Sequence, residues 1–176
     1  MAEIVQVRID WDRTAIPLRA RGFHILHIGP EPGWPFGRKG RALAGAWRQL
    51  STPTADGMLL LDGDVAVDPL DLAAMRAAID AEPTAVHVAP ARLWPVSTGQ
   101  RAWIWGHGRT RFSQDDPDDP DVFGFSFTYL PRALIEGCAL DRWAYPGVDR
   151  RVHQRAAALG IPVRVVRGCW PKHLNY

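Results

Sequence analysis

The sequence predicts an α/β fold, a single domain with a three-layer arrangement and a mostly parallel central sheet. Short apolar, β-branched runs alternate with stretches of helical spacing along most of the chain. Clusters of Gly, Pro and Asp punctuate that alternation. The 176 residues are enough for one sizeable core, and no internal repeat or low-complexity linker divides them. Strands that alternate with helices bury both faces of a sheet, which is what makes three layers.

Taken in order, Ile4 to Ile9 alternates and is β-branched, so it forms a first strand. Phe23-His24-Ile25-Leu26-His27-Ile28 forms a second, closed by Gly29-Pro30-Glu31-Pro32-Gly33. Lys39 to Leu50 has helical spacing, with Leu43, Ala46, Trp47 and Leu50 on one face. A buried strand follows over Gly57 to Leu61. Asp68-Pro69-Leu70-Asp71 then starts a helix, with Asp68 as N-cap, that runs to about Asp80. Ala85 to Ala89 is a further strand. Arg92 to Arg111 breaks the pattern with tryptophans, arginines and glycines, and Gln114 to Asp121 is an acidic, proline-spaced loop. Val122 to Leu130 resumes as a strand with alternating aromatics, and Pro131 suits the first turn of a short helix to about Gly137. Val148 to Leu159 is the last helix, stopped by Gly160, and Val163 to Val166 the last strand.

Composition narrows the function classes. The chain is 47% hydrophobic and 23% charged, normal for a soluble globular protein, and its net charge of +2 supplies no field that argues for nucleic acid or a membrane surface. No apolar run reaches transmembrane length and no signal-peptide region stands at the N-terminus, so a cytoplasmic protein is expected. Cys138 and Cys169 are too few and too far apart to suggest a disulfide scaffold or a zinc site. Eight tryptophans and fifteen prolines point to well-packed loops around a pocket.

Chemistry concentrates in Gly57-Met58-Leu59-Leu60-Leu61-Asp62-Gly63-Asp64, a buried strand that ends in two aspartates separated by one glycine. Carboxylates at the mouth of a buried strand are costly unless something pairs with them. Gly63 permits a tight turn that aims both at one place. Hard oxygen ligands of this kind favour Mg2+ or Mn2+ over zinc, and such an ion keeps positions free to grip a diphosphate. Asp-Gly-Asp is also ordinary turn chemistry. Position adds a second argument for function, because ligands of open α/β sheets sit at the carboxyl ends of strands.

These elements, in this order, resemble the GT-A fold glycosyltransferases that use nucleotide sugars, especially the family 2-like members. Gly40-Arg41-Ala42-Leu43-Ala44-Gly45-Ala46 followed by the Asp62-Gly63-Asp64 strand is similar to the family's Ala-rich helix and Asp-x-Asp strand. Phe123 to Arg132 is similar to the acceptor-side strand and turn, and Tyr145 to Val152 to the segment that brings an acid to the start of a helix. Cys169-Trp170-Pro171-Lys172-His173 is similar to the loop that gives the metal a histidine. The likeness covers most of the chain from Gly40 onward. Three departures stand out: Asp12 to Gly22, with Pro17 inside it, leaves little room for the usual first helix; the acidic motif has a single Asp149; and the chain is short for the family.

The resemblance implies roles. Asp64 binds Mn2+ or Mg2+ directly, Asp62 contacts the ribose or supports the ion through water, and His173 is a further metal ligand. Asp149 is the general base that deprotonates an acceptor hydroxyl, which makes the displacement direct and inverting; a carboxylate favoured by a helix N-terminus is the alternative. Arg38 and Lys39, before a helix, either approach the diphosphate or form a solvated basic turn. Trp11 and Arg13 follow the first strand, where the nucleobase is expected, although Trp11 also suits a core. Trp103, Trp105 and His107 form a platform for a sugar or base on the acceptor side, or else pack a hairpin. Interleaved arginine and tryptophan admit a modified DNA base as acceptor, while the acidic run Asp115 to Asp121 opposes phosphates. The expected function is transfer of a sugar from a nucleotide diphosphate sugar to an acceptor hydroxyl. A nucleotidyltransferase is the rival enzyme class, disfavoured because Val5 to Arg13 has no glycine-rich loop, and a nucleotide-sugar-binding module without turnover is the non-enzyme alternative.

Overall fold

The computed structural model describes residues 1–10, 23–27, 38–63, 65–89, 92–93, 125–138, 140 and 148–173. In chain order their elements are β1 (Ile4–Asp10), β2 (His24–His27), α1 (Arg38–Leu50), β3 (Gly57–Asp62), β4 (Val65–Ala66), α2 (Pro69–Ala81), β5 (Val86–Val88), β6 (Arg92–Leu93), β7 (Phe127–Pro131), α3 (Arg132–Gly137), α4 (Val148–Ala158), β8 (Val163–Val165) and β9 (Lys172–His173). The protein is mixed α/β.

Six strands form the main sheet in the order β2-β1-β3-β7-β5-β8. β1 runs parallel to β2 and to β3, and β5 runs parallel to β8. β7 is antiparallel to both its neighbours, β3 and β5, so it alone opposes the other five described strands of this sheet. A second sheet has three two-residue strands in the order β4-β9-β6.

Alternation along each strand sorts the core onto two faces, as a period of two requires. Val5, Val7 and Ile9 of β1, Met58 and Leu60 of β3 and Val86 and Val88 of β5 share one cluster with Leu43 and Trp47 of α1, Leu134 of α3 and Val152 of α4. Leu59 and Leu61 of β3 and Phe127 and Tyr129 of β7 share the other with Met75 and Ile79 of α2. Met58 through Leu61 are all 0% exposed, which is why this run carries no polar residue. Each such side chain contributes about 1.5–3 kcal/mol on burial, so β3 is firmly seated and a rigid base for the acidic turn at its carboxyl end.

At the amino end of β3, Arg132 ties three elements together. Its Nε donates to Ala55 O (2.7 Å), its Nη2 donates to Thr52 O (2.6 Å), and its guanidinium lies 5.3 Å from the Trp47 ring centre. The carboxyl end of β3, about 17 Å away at the usual rise per residue, is left for other work.

Several expectations need correction. The strand expected over Val122 to Leu130 begins only at Phe127 among the described residues and ends on Pro131, which occupies the N-cap of α3 rather than its first turn. Its sense is antiparallel, which apolar alternation does not encode. Arg38 and Lys39 are the first residues of α1 rather than residues before it. Val163 to Val166 is not the last strand, because Lys172 and His173 form a further one. Asp68 caps α2 as expected, within a full capping box with Asp71. No helix among the described residues is long and apolar enough to cross a membrane, and both cysteines are free thiols.

Candidate functional site at the carboxyl ends of β1 and β3

β1 and β3 are parallel neighbours in register Ile9↔Asp62, so both end at the same edge of the sheet. The turn after β3 is fastened from two sides. Gly63 N donates to Ile9 O (2.7 Å) and Asp62 N donates to Ser126 O (3.0 Å). Arg8, one residue back on β1, donates from Nη2 to Gly63 O at 3.0 Å. Asp62 is half-buried and continues the row of Met58 and Leu60, so it borders the sheet face on which α1, α3 and α4 pack.

Arg8 is 3% exposed. A guanidinium taken out of water needs compensating partners, and a buried cation under an acidic turn suits that requirement. It is a functional candidate that sequence reasoning misses. An arginine in an alternating strand is taken for a solvent-facing residue, and the one available signal is its place beside the end of the strand that neighbours Asp62.

β9 comes back to this edge from the far end of the chain. Gly168, at φ 84, turns the backbone where an L side chain would be strained, and residues 169–173 then run to the turn after β3. β9 pairs antiparallel with β4, Val65 opposite His173 and Ala66 opposite Lys172. On its other side β9 is parallel to β6, with Leu93 in register with His173. The backbone of His173 is therefore laid against Val65, the residue covalently next to Asp64.

The N-terminus of α2 reaches the same segment. Asp68 Oδ1 accepts from Leu70 N (2.8 Å) and Asp71 N (2.9 Å). Asp71, 6% exposed, accepts on Oδ2 from Asp68 N (3.3 Å) and on Oδ1 from Trp170 N (2.6 Å). Cys169 Sγ meets Asp71 O at 3.5 Å. Burial, reinforced by Asp71 and Asp68, pushes the Cys169 thiol far above its ordinary range, so it is a packed and unreactive group.

Asp149 lies in the first turn of α4 and is half-buried. Val148 and Val152 on either side pack in the same cluster as Met58 and Leu60, so α4 and Asp62 border one face of the sheet. Asp64, Trp11, Arg13, Trp103, Trp105 and His107 lie outside the described residues, as do the side chains of Arg38, Lys39 and His173. Among the described residues no three acidic, histidine or cysteine side chains gather as a metal site; the two metal ligands that the sequence suggests are outside that set.

The fold is similar to the crystal structure of A197 from STIV, with a TM-score of 0.53 and 12% identity over 93% of this chain and 81% of that one. At that identity the likeness is one of fold. No family model matches the chain, and no curated protein does.

Proposed function

We propose that this chain is a metal-dependent glycosyltransferase of the GT-A type, which moves a sugar from a nucleoside diphosphate sugar to an acceptor hydroxyl. The observation that carries the reading is the pairing of β9 with β4, which lays the backbone of His173 beside the residue that follows Asp64. The sequence separates these two segments by about a hundred residues, and a histidine and an acidic turn at one sheet edge are what a hard divalent cation with a nitrogen ligand requires. Two features of the fold support it further: helices pack on both faces of a sheet in which β7 alone of the described strands is reversed, and the acidic turn stands at the carboxyl ends of parallel strands.

The donor set fits Mn2+ or Mg2+. Asp64 and His173 would hold the ion, and Asp62 would support it through water or take the ribose. Bound there, the ion supplies positive charge for the departing diphosphate. The protein's own contribution is positioning: Arg8 and two backbone bonds hold the backbone of the 62–63 turn. Asp149, on the face that Asp62 borders, takes the proton from the acceptor hydroxyl as it attacks the anomeric carbon, with inversion.

A panel of UDP-, GDP- and TDP-sugars with Mn2+, read by thermal shift and by nucleotide release, tests the reading. Slow manganese-dependent hydrolysis of one donor is the expected result. Conversion of a nucleotide sugar and added pyrophosphate to nucleoside triphosphate and sugar 1-phosphate would instead make the chain a nucleotidyltransferase, and a thermal shift with no turnover would make it a binding module. With the productive donor in hand, hydroxymethylated DNA duplex, glycans and small alcohols compete as acceptors. Transfer to DNA should bring binding that weakens steeply with salt.

A further inference from the structure

Asp71 carries more than its helix cap requires. Its carboxylate is almost wholly buried, and its shortest hydrogen bond, 2.6 Å, comes from Trp170 N, 99 residues away, rather than from its own helix. The capping bond from Asp68 N is the longer one, at 3.3 Å. The same residue's carbonyl meets Cys169 Sγ, which is 0% exposed. Both contacts fall on the two residues that lead into β9. Pro171, next in line, is buried and fixes its own φ, and Lys172 is already paired with Ala66. Pro171 alone stands between the clamped Trp170 and the paired Lys172.

We propose that Asp71 is a positioning residue that fastens the C-terminal segment to α2 and so delivers His173, already placed, to the Asp62–Asp64 turn. The role rests on the metal-dependent reading above. Groups that hydrogen-bond a metal ligand directly typically change metal affinity about tenfold to a hundredfold when removed, and Asp71 acts one step further back, through the backbone that carries the ligand. The N-terminus of α2 makes a carboxylate the suitable anchor, because its exposed N–H groups favour negative charge there.

The test uses Mn2+ titrated against the full chain with UDP or GDP present, followed by the signal of the free ion, together with amide hydrogen exchange over residues 170–173. Asp71→Ala is compared with His173→Ala, with the double variant and with Asp68→Ala, which breaks the same cap without touching Trp170 N. Asp71→Asn keeps an oxygen for Trp170 N, and Asp71→Ser serves if the alanine variant does not fold. Expected are an affinity loss of about tenfold or more for Asp71→Ala, no further loss in the double variant relative to His173→Ala, faster exchange over 170–173, partial recovery in Asp71→Asn and little change in Asp68→Ala. Equal effects of Asp68→Ala and Asp71→Ala reduce Asp71 to a helix cap and overturn the proposal. Unchanged exchange and affinity in Asp71→Ala overturn it as well. A wild-type chain that binds no Mn2+ with either nucleotide overturns the metal reading and the positioning role together, and the exchange arm then shows only whether Asp71 holds β9.

Discussion

Gly57→Ala separates the scaffold from the site. Gly57 opens β3 opposite Pro131 of β7. A Cβ added there would stand 2.4 Å from Leu130 O and 2.5 Å from Tyr129 Oη, about an ångström short of ordinary contact. The carbonyl belongs to the paired strand and cannot swing aside. Tyr129 is 0% exposed and its hydroxyl donates to Pro83 O at 2.9 Å, so turning the ring breaks a buried hydrogen bond. Overpacking of this kind costs about 1–3 kcal/mol, and the lost bond adds about 1 kcal/mol. Alanine restricts the unfolded chain and returns about 0.4–1 kcal/mol, which leaves a net loss of about 1–3.5 kcal/mol, centred near about 2. At a urea slope of about 2 kcal/mol/M, the unfolding midpoint should fall by about 1 M. Because Gly57 is at the other end of β3 from Asp62, the folded variant should bind Mn2+ and nucleotide as the wild type does. A midpoint shift below about 0.25 M would refute the steric argument, and a folded variant with impaired nucleotide binding would refute the separation of scaffold from site.

Asp64→Ala should abolish metal-dependent donor binding in a thermal-shift titration, whereas Asp149→Asn should leave donor binding intact and lower transfer by about 10²–10⁴-fold, the usual worth of a general base. Arg8→Gln leaves Gly63 O without its charged donor and should cost about 1.5–3 kcal/mol in a urea melt, the range for hydrogen bonds to charged groups. His87 is held below its ordinary pKa of 6.5, first by burial, against the opposing bond to Glu82 O. The unfolded chain therefore takes up that proton first, so the contribution is complete above pH 6.5 and is lost as the pH falls through that value towards the lower folded one. His87→Leu should flatten the pH dependence of stability in that window, measured as the difference in slope from the wild type.

The legible part of this fold is the part with a period. β1, β3, α1 and α2 follow from apolar spacing, and the cap at Asp68 follows from Asp-Pro at a helix start, because these signals are local. β4, β6 and β9 are two residues each, too short to carry any period, so the second sheet is invisible in the sequence although it organises the candidate site. The sense of β7 depends on which edge the preceding chain returns from, which no local pattern records. In the site itself, Asp62 stands out because a carboxylate ends an apolar run. His173 is reached through a family likeness alone, since a histidine near Trp-Pro-Lys has no distinctive spacing. Arg8 and the second role of Asp71 escape because each is defined by a partner distant in sequence: Gly63 in one case and Trp170 in the other.

The reversed strand has a consequence for the acceptor. Since β7 opposes β3, with Phe127 paired to Leu61, the amino end of β7 lies at the same sheet edge as the carboxyl end of β3, and Ser126 O there receives the amide of Asp62. β6 lies at that edge too, because it pairs with β9, which pairs with β4. Among the described residues the chain thus leaves the site edge at Leu93 and is back at it by Phe125, while Trp103, Trp105 and His107 lie outside the described residues. Connecting segments tied at both ends to a rigid scaffold are where binding residues concentrate. The stretch between Leu93 and Phe125 is on that ground the place to look for acceptor contacts, whichever acceptor the donor panel reveals.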